Sequence, residues 1–405
     1  MPITADESSQ DIPGYRLFDI IEWLSSHESR DLDEAGLITG LGERLQALPL
    51  QVDCIALYLR ALHPEIRARL IVWSREKAAE SHDRTHAMQH IVAFPGSPFR
   101  AAMETGRWQR VRADTDERII DQLEIFRGRG MTELLAAPLP VDHGPASAIV
   151  FATRGAGGYT AGARQALERI QPALSNACEL RLLRRAEASI LDTYIGPMTG
   201  RRILAGHIRR GEVESLEAAL LLCDLRDFTG SSNRLAPAQI LELLNRYFDE
   251  VVPAITDHGG EVVKFIGDAV LAFFHCDEGP VASCTAALRA ANSIQARLAD
   301  ARSDLGRLRA GVALHHGEMS YGNIGAGRRL DFTVIGRDVN LLSRIQGVCG
   351  ATDQALLMSD RFAALLGQED RQSAGRFVLK GFAQPVELFT AAQGKTPISP
   401  PIPMA

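Results

Sequence analysis

The chain has 405 residues, of which 46% are hydrophobic and 23% charged, and its formal net charge is −6 at pH 7. This length predicts two or three domains, and the composition is that of an ordinary globular protein. The acidic balance argues against general nucleic-acid binding, and no apolar run reaches the roughly 18 residues of a membrane span.

Neither the N-terminus nor the cysteines indicate export. The first residues, MPITADESSQDIPGYRLF, lack the basic and apolar segments of a signal peptide, so we expect a cytoplasmic protein. The cysteines form no CxxC pair and show no zinc-ligand spacing with histidine, which predicts buried, reduced thiols. They are Cys54, Cys178, Cys223, Cys276, Cys284 and Cys349.

Residues 1–175 mix helical and strand patterns. We predict a helix over residues 33–48, strands over residues 53–62, 68–73, 134–139 and 146–153, and a final helix from near Thr160. A strand, a loop of small residues and a long final helix resemble the end of a GAF-type sensory domain, over roughly residues 20–180. The alternative is an unrelated α+β domain that serves only as a dimerisation platform.

Residues 176–212 are predicted to form a helical linker, which Gly196-Pro197 interrupts. Two interpretations of its intermittent apolar stripe stay open. The helix packs on its own domain, or it forms a short parallel coiled coil between two protomers. The stripe consists of Leu180, Leu183, Ile190, Leu191 and Tyr194.

Residues 213–393 alternate between strand and helix patterns. We predict strands over residues 216–225, 261–266, 269–274, 308–315, 317–322 and 331–335, and helices from Pro237, over residues 280–301 and over residues 339–348. This order predicts an α+β domain of the ferredoxin-like βαββαβ type, with its helices on one face of the sheet. The Pro-rich residues 394–405 predict a disordered tail.

Two aspartates fall at neighbouring strand ends. Asp224 lies at the end of the first apolar strand, and Asp268 lies at the tip of the next hairpin, beside Gly267. Adjacent antiparallel strands would bring the two carboxylates together, where one is expected to keep its proton. A divalent cation removes this repulsion, because Mg²⁺ takes one or two carboxylates and completes its shell with phosphate oxygens and water.

Positive and polar groups follow in the second half of this domain. Arg309 lies on a predicted strand, Lys380 precedes a glycine turn, and Asn340 and Arg344 share one face of a helix. Such groups would clamp a triphosphate, whose developing charge must be stabilised. Lys264 lies in an otherwise apolar hairpin and needs a partner or a ligand, because buried charge is costly.

Five motifs follow one another along the chain: DLRDFT, GGEVVKFIGD, RAGV, DFTVIGRDVNLLSR and LKGF. In this order they resemble the catalytic domain of class III nucleotide cyclases, over about residues 215–392. The resemblance implies conversion of ATP to 3′,5′-cyclic AMP and pyrophosphate, with two Mg²⁺ or Mn²⁺ ions per active site. It also implies a homodimer whose shared active sites lie at the interface, so that both protomers contribute to each site.

The resemblance also assigns roles to positions. Asp224 and Asp268 match the metal carboxylates, and Leu225 matches a position whose backbone carbonyl touches one metal. Asn340 and Arg344 match the groups that hold the ribose and stabilise the transition state. The positions that bind or cover the phosphates are matched by Arg309, Lys380, Phe228 and Thr229.

Lys264 and Thr333 match the pair that selects the base. A Lys donor fits adenine N1, and a Thr hydroxyl can accept from the 6-amino group. Guanine presents the reverse pattern and would leave polar groups unpaired, so the pair favours ATP. A Thr at position 333 resembles the subgroup that includes bicarbonate-responsive cyclases.

Two other functions are weighed against an adenylate cyclase. One is a guanylate or mixed-specificity cyclase, which Lys264 and Thr333 disfavour. The other is a catalytically silent nucleotide-binding regulator, which the complete set of matched positions disfavours. The order of sensor, helix and catalytic domain further suggests regulation by a small-molecule or ion effector of the N-terminal domain.

Some positions depart from the family pattern. Asp227 stands where glycine is common and would add negative charge near the metals, and Leu342 stands where a small residue is usual and would shift its helix. Arg337 is also atypical. His315-His316, at a strand end, is predicted to be structural or solvated, because no partner ligands for a metal appear nearby.

Overall fold

The structure is a computed structural model. It describes residues 14–86, 96–113, 115–116, 123, 125–126, 128–140, 146–303, 306–327 and 329–391. The chain divides into an N-terminal unit, Met1–Thr193, and a C-terminal unit, Tyr194–Ala405. The predicted disordered tail, residues 394–405, lies outside the described residues.

The N-terminal unit contains a six-stranded antiparallel sheet with strand order β3-β2-β1-β6-β5-β4. Its strands are β1 (Cys54–Arg60), β2 (Ile66–Ser74), β3 (Lys77–Thr85), β4 (Gln109–Arg112), β5 (Glu133–Leu139) and β6 (Ser147–Thr153). The four predicted strands are confirmed within about two residues at each end. Strand β3 was not predicted, because KAAESHDRT is polar and mostly exposed at the sheet edge.

Helices cover both faces of this sheet. They are α1 (Gly14–Ser25), α2 (His27–Arg30), α3 (Glu34–Gln46), α4 (Pro98–Thr105) and α5 (Ala161–Ile195). One face, with Ile55 and Leu57, packs against α1, α3 and α5, and the other, with Ala56, packs against Phe99 of α4. Because both faces are buried, β1 is a continuous apolar run.

The predicted linker is largely helical. Helix α5 continues to Ile195, and after Gly196, whose φ is +87°, α6 (Pro197–Leu204) begins. Leu183, Ile190 and Tyr194 of the apolar stripe remain exposed. Both interpretations of the stripe therefore remain predictions. A coiled coil between two protomers would bury these exposed side chains.

The C-terminal unit contains an eight-stranded sheet. Its path is β15-β16-β14-β12-β7-β9-β8, and β13 pairs with β12. The strands are β7 (Val213–Leu225), β8 (Glu261–Ile266), β9 (Ala269–His275), β12 (Ala310–Ala326), β13 (Arg329–Ile335), β14 (Leu356–Ser359), β15 (Arg371–Phe377) and β16 (Val386–Ala391). A separate pair joins β10 (Arg302–Ser303) to β11 (Gly306–Arg307). The predicted mixed α+β class is confirmed.

The helices of this unit are α7 (Phe228–Arg234), α8 (Pro237–Thr256), α9 (Pro280–Asp300), α10 (Arg337–Thr352) and α11 (Asp360–Ala363). Ala219 and Leu221 of β7 face the core that α8 and α9 complete. Leu220 and Leu222 face the opposite side, where α10 packs. The prediction that helices lie on one face is therefore wrong. The continuous apolar run of β7 indicates two buried faces, which requires a helix on each.

The predicted strands 308–315 and 317–322 are one strand, β12. It pairs with β7 residue by residue, from Ala310 opposite Leu225 to Gly322 opposite Val213. Gly317 does not end the strand, because its backbone is extended there. A Cβ at Gly317 would collide with the carboxylate of Asp338 in α10, so the glycine reflects a close approach between sheet and helix.

Among the described residues, no helix has the length and apolar character needed to cross a bilayer.

Leu342 of α10 tests how far this packing determines stability. Its side chain is 0% exposed and lies in the core between α10 and the sheet. Leu342→Ala, which introduces a small residue of the kind usual in the family, should cost about 2–5 kcal/mol in the free energy of unfolding of the C-terminal unit. Leu241→Ala on α8, where the leucine is 61% exposed, should change it by less than about 0.5 kcal/mol. Urea unfolding of both variants measures this, and equal losses would contradict the packing assignment.

Candidate active site

Asp224 and Asp268 lie together at one end of the C-terminal sheet. Asp224 stands opposite Ala269 in the β7–β9 pairing, so the preceding residue, Asp268, faces it from the hairpin turn. Gly267 makes that turn possible with a φ of +64°. Burial, the negative charge of Asp268 and a hydrogen bond to its carboxyl together raise the pKa of Asp224 to about 6.

The carboxylate pair fits a divalent cation. In the metal-free chain the proton on Asp224 relieves the repulsion between the two groups, and a hard cation would relieve it without a proton. The described part of the chain contains no cluster of three or more His, Cys, Asp or Glu side chains suited to a metal. The two carboxylates would thus hold a cation whose remaining ligands are backbone oxygen, water or substrate.

The loop after β7 carries an acid in an unusual backbone conformation. Asp227 has a φ of +57°, in the left-handed region that glycine adopts most easily, which accounts for the glycine common at this position in the family. Its carboxylate accepts a hydrogen bond from Arg234 at 2.8 Å. Arg234, at the end of α7, therefore balances the charge that Asp227 adds. At the start of α7, Phe228 is half-buried and Thr229 is exposed.

Lys264 lies in β8 and reaches strand β13. Its Nζ donates to Oδ2 of Asp331 at 2.5 Å. Asp331 and Thr333 are two residues apart in β13 and therefore share a face of that strand. The structure thus places Lys264 against the strand that carries its predicted partner. Sequence reasoning missed Asp331, although an acid two residues before Thr333 is visible in the motif DFTVIG.

Helix α10 presents Asn340 and Arg344 to solvent, four residues apart, while its opposite face is buried. Asp338 anchors the start of this helix: its carboxylate accepts from the backbone N–H of Glu318 at 2.8 Å and from Arg361 at 3.2 Å. A hydrogen bond with His315, followed by smaller contributions, lowers the pKa of Asp338 to about 2. The anchor therefore keeps its negative charge across the physiological pH range.

His315 and His316 are structural. His315 is fully buried, with Nδ1 2.7 Å from Oγ of Ser359 and Nε2 3.5 Å from Asp338. His316 is also buried, which lowers its pKa. Of the two predicted readings, the structural one is confirmed and solvation is not.

Arg309 precedes β12 at the end of the sheet that carries Asp224, since its backbone carbonyl accepts from the N–H of Arg226 at 2.8 Å. Arg309 forms an ion pair with Asp353, at 3.3 Å, at the C-terminal end of α10. Lys380 is exposed in the segment between β15 and β16, next to the buried Leu379. The Arg309–Asp353 pair is exposed on both sides, and such pairs contribute little to stability.

The cysteines are free thiols, buried except for the half-buried Cys276, as predicted. Burial raises the pKa of five of them to about 12, which makes them unreactive at neutral pH. They are Cys54, Cys178, Cys223, Cys284 and Cys349.

Residues 213–391 match the family "Adenylate and Guanylate cyclase catalytic domain". The C-terminal unit therefore carries a class III adenylate/guanylate cyclase catalytic domain. An adenylate cyclase of Anabaena cylindrica is 36% identical over 151 residues, which are 35% of this chain and 29% of that protein. The chain thus spans less than a third of the length of this curated relative.

Solved structures are similar to part of the chain. The adenylyl cyclase CyaB from P. aeruginosa is 26% identical over 46% of this chain and 100% of that chain, with a TM-score of 0.41. The guanylyl cyclase Cya2 is 27% identical over 46% of this chain and 96% of that chain, with a TM-score of 0.41.

The carboxylate pair predicts that Asp268→Asn increases the thermal stability of the metal-free chain, and that the increase depends on pH. The folded chain raises the pKa of Asp224 from 3.8 to about 6, so it binds this proton more tightly than the unfolded chain does. Metal-free wild type therefore loses stability as the pH rises from about 4 to about 6. The variant lacks the facing charge, and we expect its thermal midpoint in EDTA to exceed that of wild type above about pH 7 and to approach it near pH 5.

The same thermal midpoints are then measured in Mg²⁺ in place of EDTA. Mg²⁺ should raise the midpoint of wild type and leave that of Asp268→Asn nearly unchanged, because one of two cation ligands is gone. A variant no more stable than wild type in EDTA above pH 7 would show that repulsion does not govern the pair.

Proposed function

We propose that the chain is an adenylate cyclase that converts ATP to 3′,5′-cyclic AMP and pyrophosphate, regulated by its N-terminal unit. The observation that carries this proposal is the position of Lys264 in a cyclase catalytic domain, against the strand that bears Thr333. A guanylate cyclase needs an acceptor where this amine stands.

Base selection follows from hydrogen-bond chemistry. The Lys264 amine has only donors and fits the acceptor N1 of adenine, and the Thr333 hydroxyl can accept from the 6-amino group. Guanine would direct its N1–H at the amine and leave both donors unpaired. A site built for one pattern rejects the other through this cost.

Asp224, Asp268 and the carbonyl of Leu225 would hold Mg²⁺ or Mn²⁺, two ions per site. Bound divalent cations would supply charge stabilisation at the triphosphate. Asn340 would orient the ribose, and Arg344 would stabilise charge on the α-phosphate as the 3′-oxygen attacks it. The new 3′-O–P bond replaces the bond to the β-phosphate, pyrophosphate leaves, and the hydroxyl proton passes to solvent.

The remaining positions would bind the outer phosphates. Arg309 would exchange its exposed pair with Asp353 for a phosphate oxygen, a small cost in this setting. Lys380 would add a second cation, and Phe228 and Thr229 would cover the phosphates. Two protomers would complete each site, so that one supplies Lys264 and the other the carboxylate pair.

For the N-terminal unit we propose a GAF-like sensory role, with a small-molecule or ion effector. Strand β6, the small-residue loop and the long helix α5 support the resemblance. Helix α5 includes the boundary between the units at residue 193, which makes it the element through which an effector would act. A shift between dimer geometries would be the means.

The runner-up is a guanylate or mixed-specificity cyclase. Asp331 gives it a basis, because a carboxylate released from Lys264 would accept the N1–H of guanine.

The first measurement incubates the purified full-length chain with ATP or GTP, in Mg²⁺ or Mn²⁺, and quantifies cyclic nucleotide and pyrophosphate. We expect cyclic AMP from ATP and little product from GTP. Lys264→Ala should lower kcat/KM for ATP by about 10- to 100-fold, the effect of one charged hydrogen bond. Preferential use of GTP would overturn the proposed specificity.

Complementation tests the shared site. Asp224→Ala should be nearly inactive alone and Lys264→Ala should keep only the reduced activity expected above, and a mixture should exceed both, because a heterodimer assembles one intact site. Differently tagged chains, co-purified, show that heterodimers form. Co-purified heterodimers without recovered activity would refute sharing.

A further inference from the structure

We propose that Asp331 is a positioning residue for base recognition: it holds the Lys264 amine at the place where adenine N1 is bound. This inference rests on the proposed adenylate cyclase function and adds a third residue to its base-selecting pair. It follows from the ion pair between β8 and β13, which motif matching does not assign.

The pair is well placed for this task. Nζ of Lys264 donates to Oδ2 of Asp331 at 2.5 Å, and the side chains are 26% and 65% exposed. A lysine ammonium has three donors, so one bond to Asp331 leaves two for a ligand. Because Asp331 and Thr333 share a face of β13, the carboxylate directs the amine toward the strand face on which Thr333 stands.

The Lys264–Asp331 ion pair is expected to contribute little to the stability of the fold. Exposed ion pairs contribute little to folding, because water screens them and two side chains must be held still. A lysine carries four flexible carbons and loses that freedom on binding a ligand. An acid that holds the amine before the nucleotide arrives removes part of this loss, so its effect should appear in substrate affinity.

The pair also bears on the choice of base. While it is bonded to Lys264, the carboxylate of Asp331 is less available as an acceptor for the N1–H of guanine. Asp331 should therefore favour ATP through the placement of Lys264, and its removal should not impair use of GTP.

The test compares Asp331→Asn with wild type for three substrates: ATP, GTP, and an ATP analogue with carbon in place of N1. We expect kcat/KM for ATP to fall about threefold to fivefold, mainly through KM, while the values for GTP and the analogue change less than about twofold. Asp331→Glu should retain most of the wild-type value. Asp257→Asn is the matched control, because Asp257 is 66% exposed and pairs with Arg297 elsewhere.

The analogue separates positioning from a structural role. If Asp331 only supported β13, its loss would lower all three values together, and the proposal would fall. The proposal would also fall if Asp331→Asn raised activity with ATP, since the pair would then restrain Lys264 rather than place it.

Binding separates this proposal from the proposed function. Dissociation constants are measured by calorimetry with α,β-methylene analogues of ATP and GTP, which cannot be cyclised. Asp331→Asn should weaken the ATP analogue alone, even if wild type forms no product and the proposed function has failed. Equal weakening of both analogues, or no binding to wild type, would overturn the positioning role.

Discussion

The repulsion between two facing carboxylates is the constraint on which the rest of the C-terminal unit depends. Strand pairing leaves Asp224 no other position, because it stands directly opposite Ala269 while the hairpin turn presents Asp268. The cost that the chain accepts is seen in the pKa of Asp224, which burial and then the charge of Asp268 raise. Groups with a pKa shifted in this way are often found at functional sites, and this pair lies within the residues that match the cyclase catalytic domain.

The C-terminal sheet positions other candidate residues through the helices that pack on both of its faces. One face binds α8 and α9, and the other binds α10, whose outer side carries Asn340 and Arg344. Strand β12 joins these parts, since it pairs with β7 along its first 13 residues and with β13 from Ser320 onward. Polar groups far apart in the chain thus depend on one continuous ladder of backbone hydrogen bonds.

Local patterns predicted much of this arrangement. The Gly267-Asp268 turn, the periodic helix from Pro237 and the apolar run of β7 each carry their structure in adjacent residues. The position of α10 on the opposite face was not predicted, because an apolar strand buried on both sides does not reveal which helix covers which side. The bond from Lys264 to Asp331 was not predicted either, because it joins residues 67 positions apart, on strands β8 and β13 that do not pair with each other.

The absence of a side chain at Gly317 limits which residues this position can accept during evolution. The carboxylate of Asp338 occupies the space that a side chain at residue 317 would fill, and the same carboxylate fixes the first turn of α10. Any other residue there would require the side chain of Asp338 to move from this anchoring position. Substitutions of Gly317 would then be selected against through their effect on Asp338 and the helix start, although residue 317 is buried in a strand.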